Sequence, residues 1–175
     1  PIVFEIEKDI ERLQLISDRF GKIGSAPLLT RSNPFTEIER MVAYMKLRSS
    51  KQVVMDCTLP NEAFVMLSVP LFDWVLENLI KNALDATDGA GKISIIGAVQ
   101  NQQVVILITD TGKGMDSETA NQIFEPGYTT KKRGWGLGLP LSKRIMESYH
   151  EGKLFIKQTE PGKGTTFCLQ LPLAQ

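Results

Sequence analysis

Apolar residues recur along this chain in two rhythms, a three-four spacing and a two-residue alternation, and the switches between them mark its elements. Val3, Ile6, Ile10, Leu13 and Phe20 keep the helical rhythm, with Ser17 as a gap in the stripe. Glu5, Glu7, Lys8, Asp9, Glu11, Arg12, Asp18 and Arg19 fill the other face. So narrow a seam predicts a helix of coiled-coil or bundle type, too short to be stable without a partner helix. Gly21 and Gly24 end it, and residues 25–32, with Pro27, read as a linker. Asn33-Pro34 supplies a cap and a first-turn proline, and Ile38, Met41, Val42 and Met45 predict a helix running to about Arg48. Apolar runs at 52–59 and 63–69 predict two strands, tightly connected at Pro60-Asn61.

The next segment, 71–87, has no internal Gly or Pro, and its Leu71, Trp74, Val75, Leu79, Ala83 and Leu84 fall on helical spacing. Pro70 suits the first turn, and Gly89 and Gly91 are its expected stop. Beyond it, 92–99 and 103–109 predict a hairpin whose second strand, nearly all apolar, is central. Residues 110–136 are Gly-rich and irregular around a short helix near 116–123, and long loops carry function or move. A helix over 137–149, with Leu141, Ile145 and Met146 on its apolar side, and strands at 153–159 and 165–171 close the chain. Strand pairs alternating with helices predict an α+β two-layer sandwich: a mixed, mainly antiparallel sheet with helices on one face, plus the N-terminal helix.

Composition narrows this picture without redirecting it. The 175 residues suit one compact domain with an appendage, and 42% hydrophobic content suffices for a core. Twenty basic and twenty acidic residues cancel, which removes support for a nucleic-acid partner. Cys57 and Cys168 sit in apolar alternating runs and read as buried reduced thiols, and without a CxxC or Cys/His cluster no zinc site is expected. No apolar run approaches the about 20 residues that span a bilayer, and there is no signal peptide. The chain opens at Pro1 inside a periodic run, which reads as a fragment of something longer.

The candidate chemistry begins on the 71–87 helix. Asn78 and Asn82 stack one turn apart and Asp85 lies three further on, although Asn is a mediocre helix former. Amides offer a carbonyl oxygen to a hard cation and an NH2 to a phosphate; a solvent-facing polar stripe is the plain alternative. Three glycine clusters follow. Asp110-Thr111-Gly112-Lys113-Gly114 ends the most apolar strand and fixes a carboxylate where a backbone can approach a ligand closely. Gly134-Trp135-Gly136-Leu137-Gly138-Leu139 opens a helix, where free N–H groups bind anions. Gly162-Lys163-Gly164-Thr165 also fits an ordinary turn. None has Walker A or dinucleotide-fingerprint spacing.

Taken in order, these segments together with IFEPGYTTK at 123–131 resemble the N, G1, F, G2 and G3 boxes of sensor histidine kinases. The resemblance spans about residues 52–172 and implies a Bergerat-type ATP-binding sandwich that uses Mg2+ and passes the ATP γ-phosphate to a histidine on dimerisation helices, then to a response regulator. Residues 1–24 resemble the end of a dimerisation helix, which leaves 25–32 as linker and 33–175 as the catalytic domain. By that resemblance Asn82 would coordinate Mg2+, with Asn78 and Asp85 beside it. Lys81 would reach a phosphate, or equally be a solvated helix charge. Asp110 would accept the adenine amino group, Gly112 and Gly114 would shape the adenine pocket, and Thr165 would support Asp110 through water. Gly134, Gly136 and Gly138 would offer N–H groups to the phosphates, flanked by Leu137 and Leu139. Residues 124–133 would form a mobile lid anchored by Phe124, with Thr129, Thr130 and Lys131 at the nucleotide and Lys132 and Arg133 as further charge partners.

Two departures stand out. Trp135 replaces a small or hydroxyl residue, and Gly127-Tyr128 replaces an aromatic pair, which implies a more loosely packed lid. The resemblance also implies a cytoplasmic domain of a homodimer, with an inner-membrane anchor on the parent left open. The phosphoacceptor histidine is expected on the dimerisation domain and not here: Gly152 follows the pair His150-Glu151, and His150, the only histidine, reads as a surface or cap residue at a helix end. Related ATPases of the gyrase, Hsp90 and mismatch-repair kind, which carry Glu where Asn78 stands, are the first alternative. A non-catalytic nucleotide-sensing module is the second.

Overall fold

The structure, a computed structural model, describes residues 27–131 and 134–175. The helix expected at 1–24 and the charge partners Lys132 and Arg133 lie outside the described residues. The chain runs β1 (Thr30–Ser32), α1 (Pro34–Lys46), β2 (Val53–Thr58), β3 (Val65–Leu67), α2 (Val69–Thr87), β4 (Gly91–Gln100), β5 (Gln103–Asp110), α3 (Ser117–Gln122) and α4 (Gly138–Arg144). A π-helical turn, Ile145–Tyr149, prolongs α4, and β6 (Lys153–Glu160) and β7 (Gly164–Pro172) finish it.

Five strands form one sheet in the order β2-β4-β5-β7-β6, antiparallel except for the parallel β2–β4 pair. β5 lies in the middle, as its apolar run predicts, with Val104, Ile106 and Ile108 buried. The β4–β5 hairpin closes on Asn101 and Gln102, both at positive φ (51° and 61°), the two-residue turn whose twist matches that of paired strands. The expected 52–59/63–69 hairpin does not form. β3 pairs instead with β1, Thr30 opposite Leu67, so the last residues of the predicted linker are a strand. Helix α2 then carries the chain back to lay β4 parallel to β2, an arrangement no local pattern announces.

Helices α1, α2 and α4 cover one face of the sheet. Asn33 caps α1 by accepting a hydrogen bond from the Phe35 N–H (3.1 Å), and its predicted stripe Ile38, Met41, Val42 and Met45 is buried. Helix α2 buries Phe72, Val75, Leu76, Leu79, Ile80 and Ala83 against that layer. Spending its apolar side inward leaves Asn78, Asn82 and Asp85 along one flank of the helix. It stops at Asp88, one residue before the expected glycine, because Asp tolerates the left-handed conformation (φ 50°). Cys168 is buried, but Cys57 is exposed, since β2 is an edge strand. Among the described residues no helix is long and apolar enough to cross a membrane.

Candidate functional site

The described candidates, apart from Lys81, lie on α2, the end of β5 and the loop after it, the start of β7, and residues 124–131 and 134–139, and gather about two ends. At one end Asp110, the last residue of β5, is 3% exposed. Its Oδ1 accepts the Gly112 N–H at 2.8 Å. Burial pushes its carboxyl pKa up, and hydrogen bonds from the Gly112 and Thr165 backbones hold it partly back. A Cβ on Gly112 would overlap the Ala86 carbonyl, and the Lys113 N–H donates to that same carbonyl (3.0 Å), so the glycine loop hangs from the last turns of α2. Gly114 has φ +62°, and a Cβ there would overlap the Glu160 carbonyl.

Thr165 is buried and faces Thr159 across the β6–β7 pair, their hydroxyls 2.9 Å apart. The Thr159 Oγ1 also accepts the Met115 N–H (3.0 Å), which fixes the far side of the loop. Thr159 escaped the sequence reading, although its place across the turn from Thr165 could have suggested it. The support expected from Thr165 reaches Asp110 directly, through its backbone N–H.

The other end is built from α2, α4 and the 124–131 segment. The Asn78 amide Nδ2 donates to the Ser142 Oγ (2.9 Å), a buried hydroxyl the sequence did not single out. A Cβ on Gly138 would overlap the Asn78 Oδ1, so the third glycine lets the start of α4 lie against this amide. Leu137 and Leu139 flank it half-buried, and Leu139 packs on the core. The Lys131 Nζ donates to the Asn82 Oδ1 (2.9 Å) and to the Asp85 Oδ2 (2.5 Å). Thr129 Oγ1 accepts the Lys131 N–H (3.1 Å), and Thr130 is exposed.

Phe124 anchors this segment edge-on to Phe167, ring centroids 6.4 Å apart, with the Lys143 ammonium over its ring. Gly127-Tyr128 gives a close crossing in place of the looser packing expected. The Gly127 N–H donates to the Gly136 carbonyl (2.9 Å), a Cβ on Gly136 would stand 2.5 Å from the Tyr128 carbonyl oxygen, and Tyr128 packs on the core. Gly134 is exposed, and Trp135 is half-exposed.

Lys81 does not join the cleft cluster. Its ammonium pairs with Glu77 (2.6 Å) in a groove shared with Tyr44, Met45 and Arg48. His150 is no surface residue: it is 2% exposed, its Nε2 accepts the Ser68 N–H (3.0 Å), and its Nδ1 therefore carries the proton toward the Ile145 carbonyl (3.0 Å). It clamps the start of α2 to the end of α4.

The Asn82 amide oxygen, which already holds an ammonium, suits a hard divalent cation. Among the described residues no cluster of three or more His, Cys, Asp or Glu could hold a metal alone. The donor set therefore fits Mg2+ that takes its remaining ligands from phosphates and water.

A mixed sheet with helices on one face, a buried carboxylate at a strand end and a glycine-opened helix beside an Asn pair define a Bergerat-type sandwich. The family described as histidine kinase-, DNA gyrase B-, and HSP90-like ATPase matches residues 69–175, and the chain belongs to it. It is 42% identical over 99 residues to sporulation kinase C of Bacillus subtilis (57% of this chain, 23% of that protein). It is 41% identical to the sensor histidine kinase ZraS of Escherichia coli K12 (57% of this chain, 21% of that protein). The chain thus spans less than a quarter of the length of either relative. The solved catalytic domain of histidine kinase ThkA superposes with a TM-score of 0.74 at 28% identity, covering 82% of this chain and 95% of that one.

Proposed function

We propose that residues 30–175 are the ATP-binding catalytic domain of a sensor histidine kinase, and that they present the γ-phosphate to a histidine on a dimerisation domain to which residues 1–24 belong, with 25–29 as the linker. Asp110 accepts the adenine amino group, which selects adenine because a carboxylate can only accept. Gly112 and Gly114 admit the ring, and Thr159 and Thr165 brace the loop and strand around it. The N–H groups at Gly134, Gly136 and Gly138 face the phosphates, and Lys131 compensates their charge. Mg2+ on Asn82, when bound, neutralises charge across the phosphates. Positioning and charge compensation are most of what phosphoryl transfer asks of a protein.

The observation that carries the kinase reading over the ATPase one is Asn78. Its amide, bonded to Ser142, cannot take a proton from water at neutral pH. The adjacent carboxylate, Glu77, points about 100° away around the helix and pairs with Lys81. The acceptor is therefore a nucleophile brought by another domain. On this reading the phosphate passes on to a response regulator, the parent works as a cytoplasmic homodimer, and the nucleotide partners are ATP and ADP. The expected outcome of calorimetry on the isolated chain is Mg2+-dependent ATP and ADP binding with negligible hydrolysis. In Asn82→Ala, affinity drops by roughly tenfold or more, equivalent to about 1.4 kcal/mol, and titrations with and without Mg2+ converge. Brisk hydrolysis by this chain, or an Asn82→Ala protein that keeps its Mg2+ dependence, refutes the assignment.

A further inference from the structure

Lys131 sits in a position that nucleotide binding has to disturb. Its Nζ contacts the Asn82 Oδ1, the same atom that suits the metal, and the Asp85 carboxylate one turn along α2. The three residues come from segments 46 and 49 positions apart, so the contact is a tether between the 124–131 segment and α2. We propose that the Lys131 ammonium is a built-in stand-in for the metal, exchanged for Mg2+ as a Mg2+-nucleotide enters, so that metal binding and release of the lid tip are one event. This rests on the nucleotide-binding reading above.

Three features support it. Mg2+ needs its ligands at about 2.0–2.1 Å, and a dication on Oδ1 repels an ammonium held by the same oxygen, so the two arrangements exclude each other. The Lys131 and Asp85 side chains are 42% and 58% exposed, so water and salt screen the pair and it yields to a doubly charged competitor. The displaced ammonium has the phosphates beside it, so no charge is stranded. Among the described residues the base of the segment is tied elsewhere: Gly127 is bonded to Gly136, and Phe124 packs on Phe167. Exchange therefore moves Lys131 from α2 to the phosphates and leaves the base of the segment in place.

Asp85 is the discriminating residue, because it anchors Lys131 in the tether and holds nothing once Lys131 leaves. Amide hydrogen exchange of residues 128–131 in protein prepared without nucleotide compares wild type, Asp85→Asn and Lys131→Met. Both variants exchange roughly two- to fivefold faster, the range for loss of a half-exposed ion pair. The variants then diverge. Asp85→Asn binds Mg2+–ADP more tightly by a similar factor, because the competing tether is gone. Lys131→Met binds it more weakly, because the contact to the phosphates is lost as well. Equal exchange rates in all three proteins overturn the tether, whether or not nucleotide binds. Weaker Mg2+–ADP binding by Asp85→Asn overturns the exchange and makes Asp85 a metal ligand. Failure of wild type to bind Mg2+–ADP refutes the nucleotide reading itself, while the exchange rates without nucleotide still judge the tether.

Discussion

The two ends of the cleft are built on opposite principles. At the Asp110 end the carboxylate is buried, its donors are backbone N–H groups, and two glycines sit where a single added carbon overlaps a carbonyl. At the Asn82 end the polar atoms are side-chain tips, the ion pair is half in water, and the partner of α2 comes from a segment of short turns. The first end can recognise one shape and little else. The second, by the exchange proposed above, trades one cation for another. On the proposed reading, a fixed base-recognition pocket beside an exchangeable phosphate end lets the domain hold the same nucleotide while presenting a different surface to its acceptor.

The largest expected effect tests how rigid the first end is. Gly114→Ala has to move the Glu160 carbonyl and hold Ala at φ +62°, a strain on the order of 3 kcal/mol. Urea denaturation measures it. Gly127→Ala, which has open space around it but also a positive φ (+85°), gives the smaller cost of backbone strain alone. Equal losses in the two variants would mean that Gly114 is under no special crowding. Next comes Asp110→Asn. It keeps the shape of the residue and replaces one of its two acceptor oxygens with an NH2 donor that faces the adenine amino group, so ADP affinity falls on the order of 100-fold, the worth of a buried hydrogen bond to a charged group. Its folding stability changes little, because burial already makes the charged carboxylate costly there. Wild-type affinity in this variant erases the distinction between the two ends.

Much of the cleft was legible because its residues break local rules. Two Asn in a good helix and three alternate glycines opening another have no local reason to exist. The long elements were legible from periodicity, since α1, α2 and the β4–β5 pair each bury one regular stripe. What escaped depends on partners distant in sequence. The three residues of β1 carry no strand pattern of their own and form a strand only because β3 lies beside them. Ser142 meets Asn78 across 64 positions, and nothing in either neighbourhood names the other. The burial of His150 was invisible for the same reason, because one of its hydrogen-bond partners, Ser68, lies 82 positions away. Cys57 follows the alternating pattern of a covered strand, and only its place at the sheet edge exposes it.

Acid separates the two ends by sign. His150 is neutral and buried between α2 and α4, the helices that carry the second end, and burial lowers its pKa from the usual 6.5. The unfolded chain takes up a proton at a pH where the folded one does not. The clamp's contribution is thus complete above about pH 6.5 and is lost as pH falls toward the folded pKa, at up to about 1.4 kcal/mol per unit. Asp110 works the other way. Its pKa is raised from 3.8, so the folded state holds the extra proton, and acid in that range relieves the cost of its buried charge. Urea midpoints at pH 7.5 and 5.5 show the His150 loss, and the step disappears in His150→Gln. Hydrogen exchange at pH 5.5 rises first in α2 and α4, while amides around Gly112 hold. Uniform loosening would show that the two ends are not independently supported.

The smallest effect is the sharpest test of where the second end stops. Lys81 lies one position before Asn82, and a positive charge so near the phosphates would ordinarily be counted among their partners. Its ammonium is instead held by Glu77 at 2.6 Å, four residues back along α2, and the side chain is 60% exposed. A Glu-to-Lys pair of that spacing contributes about 0.3–0.5 kcal/mol to a helix. Lys81→Met should therefore cost no more than that in stability. Its Mg2+–ATP affinity should match wild type and should depend on salt in the same way, because the charge removed was already neutralised on its own helix. Lys131→Met, by contrast, weakens binding and flattens the salt dependence. If Lys81→Met weakened nucleotide binding as Lys131→Met does, the pair with Glu77 would have to open when nucleotide enters, and the exchangeable end of the cleft would extend a further face around α2.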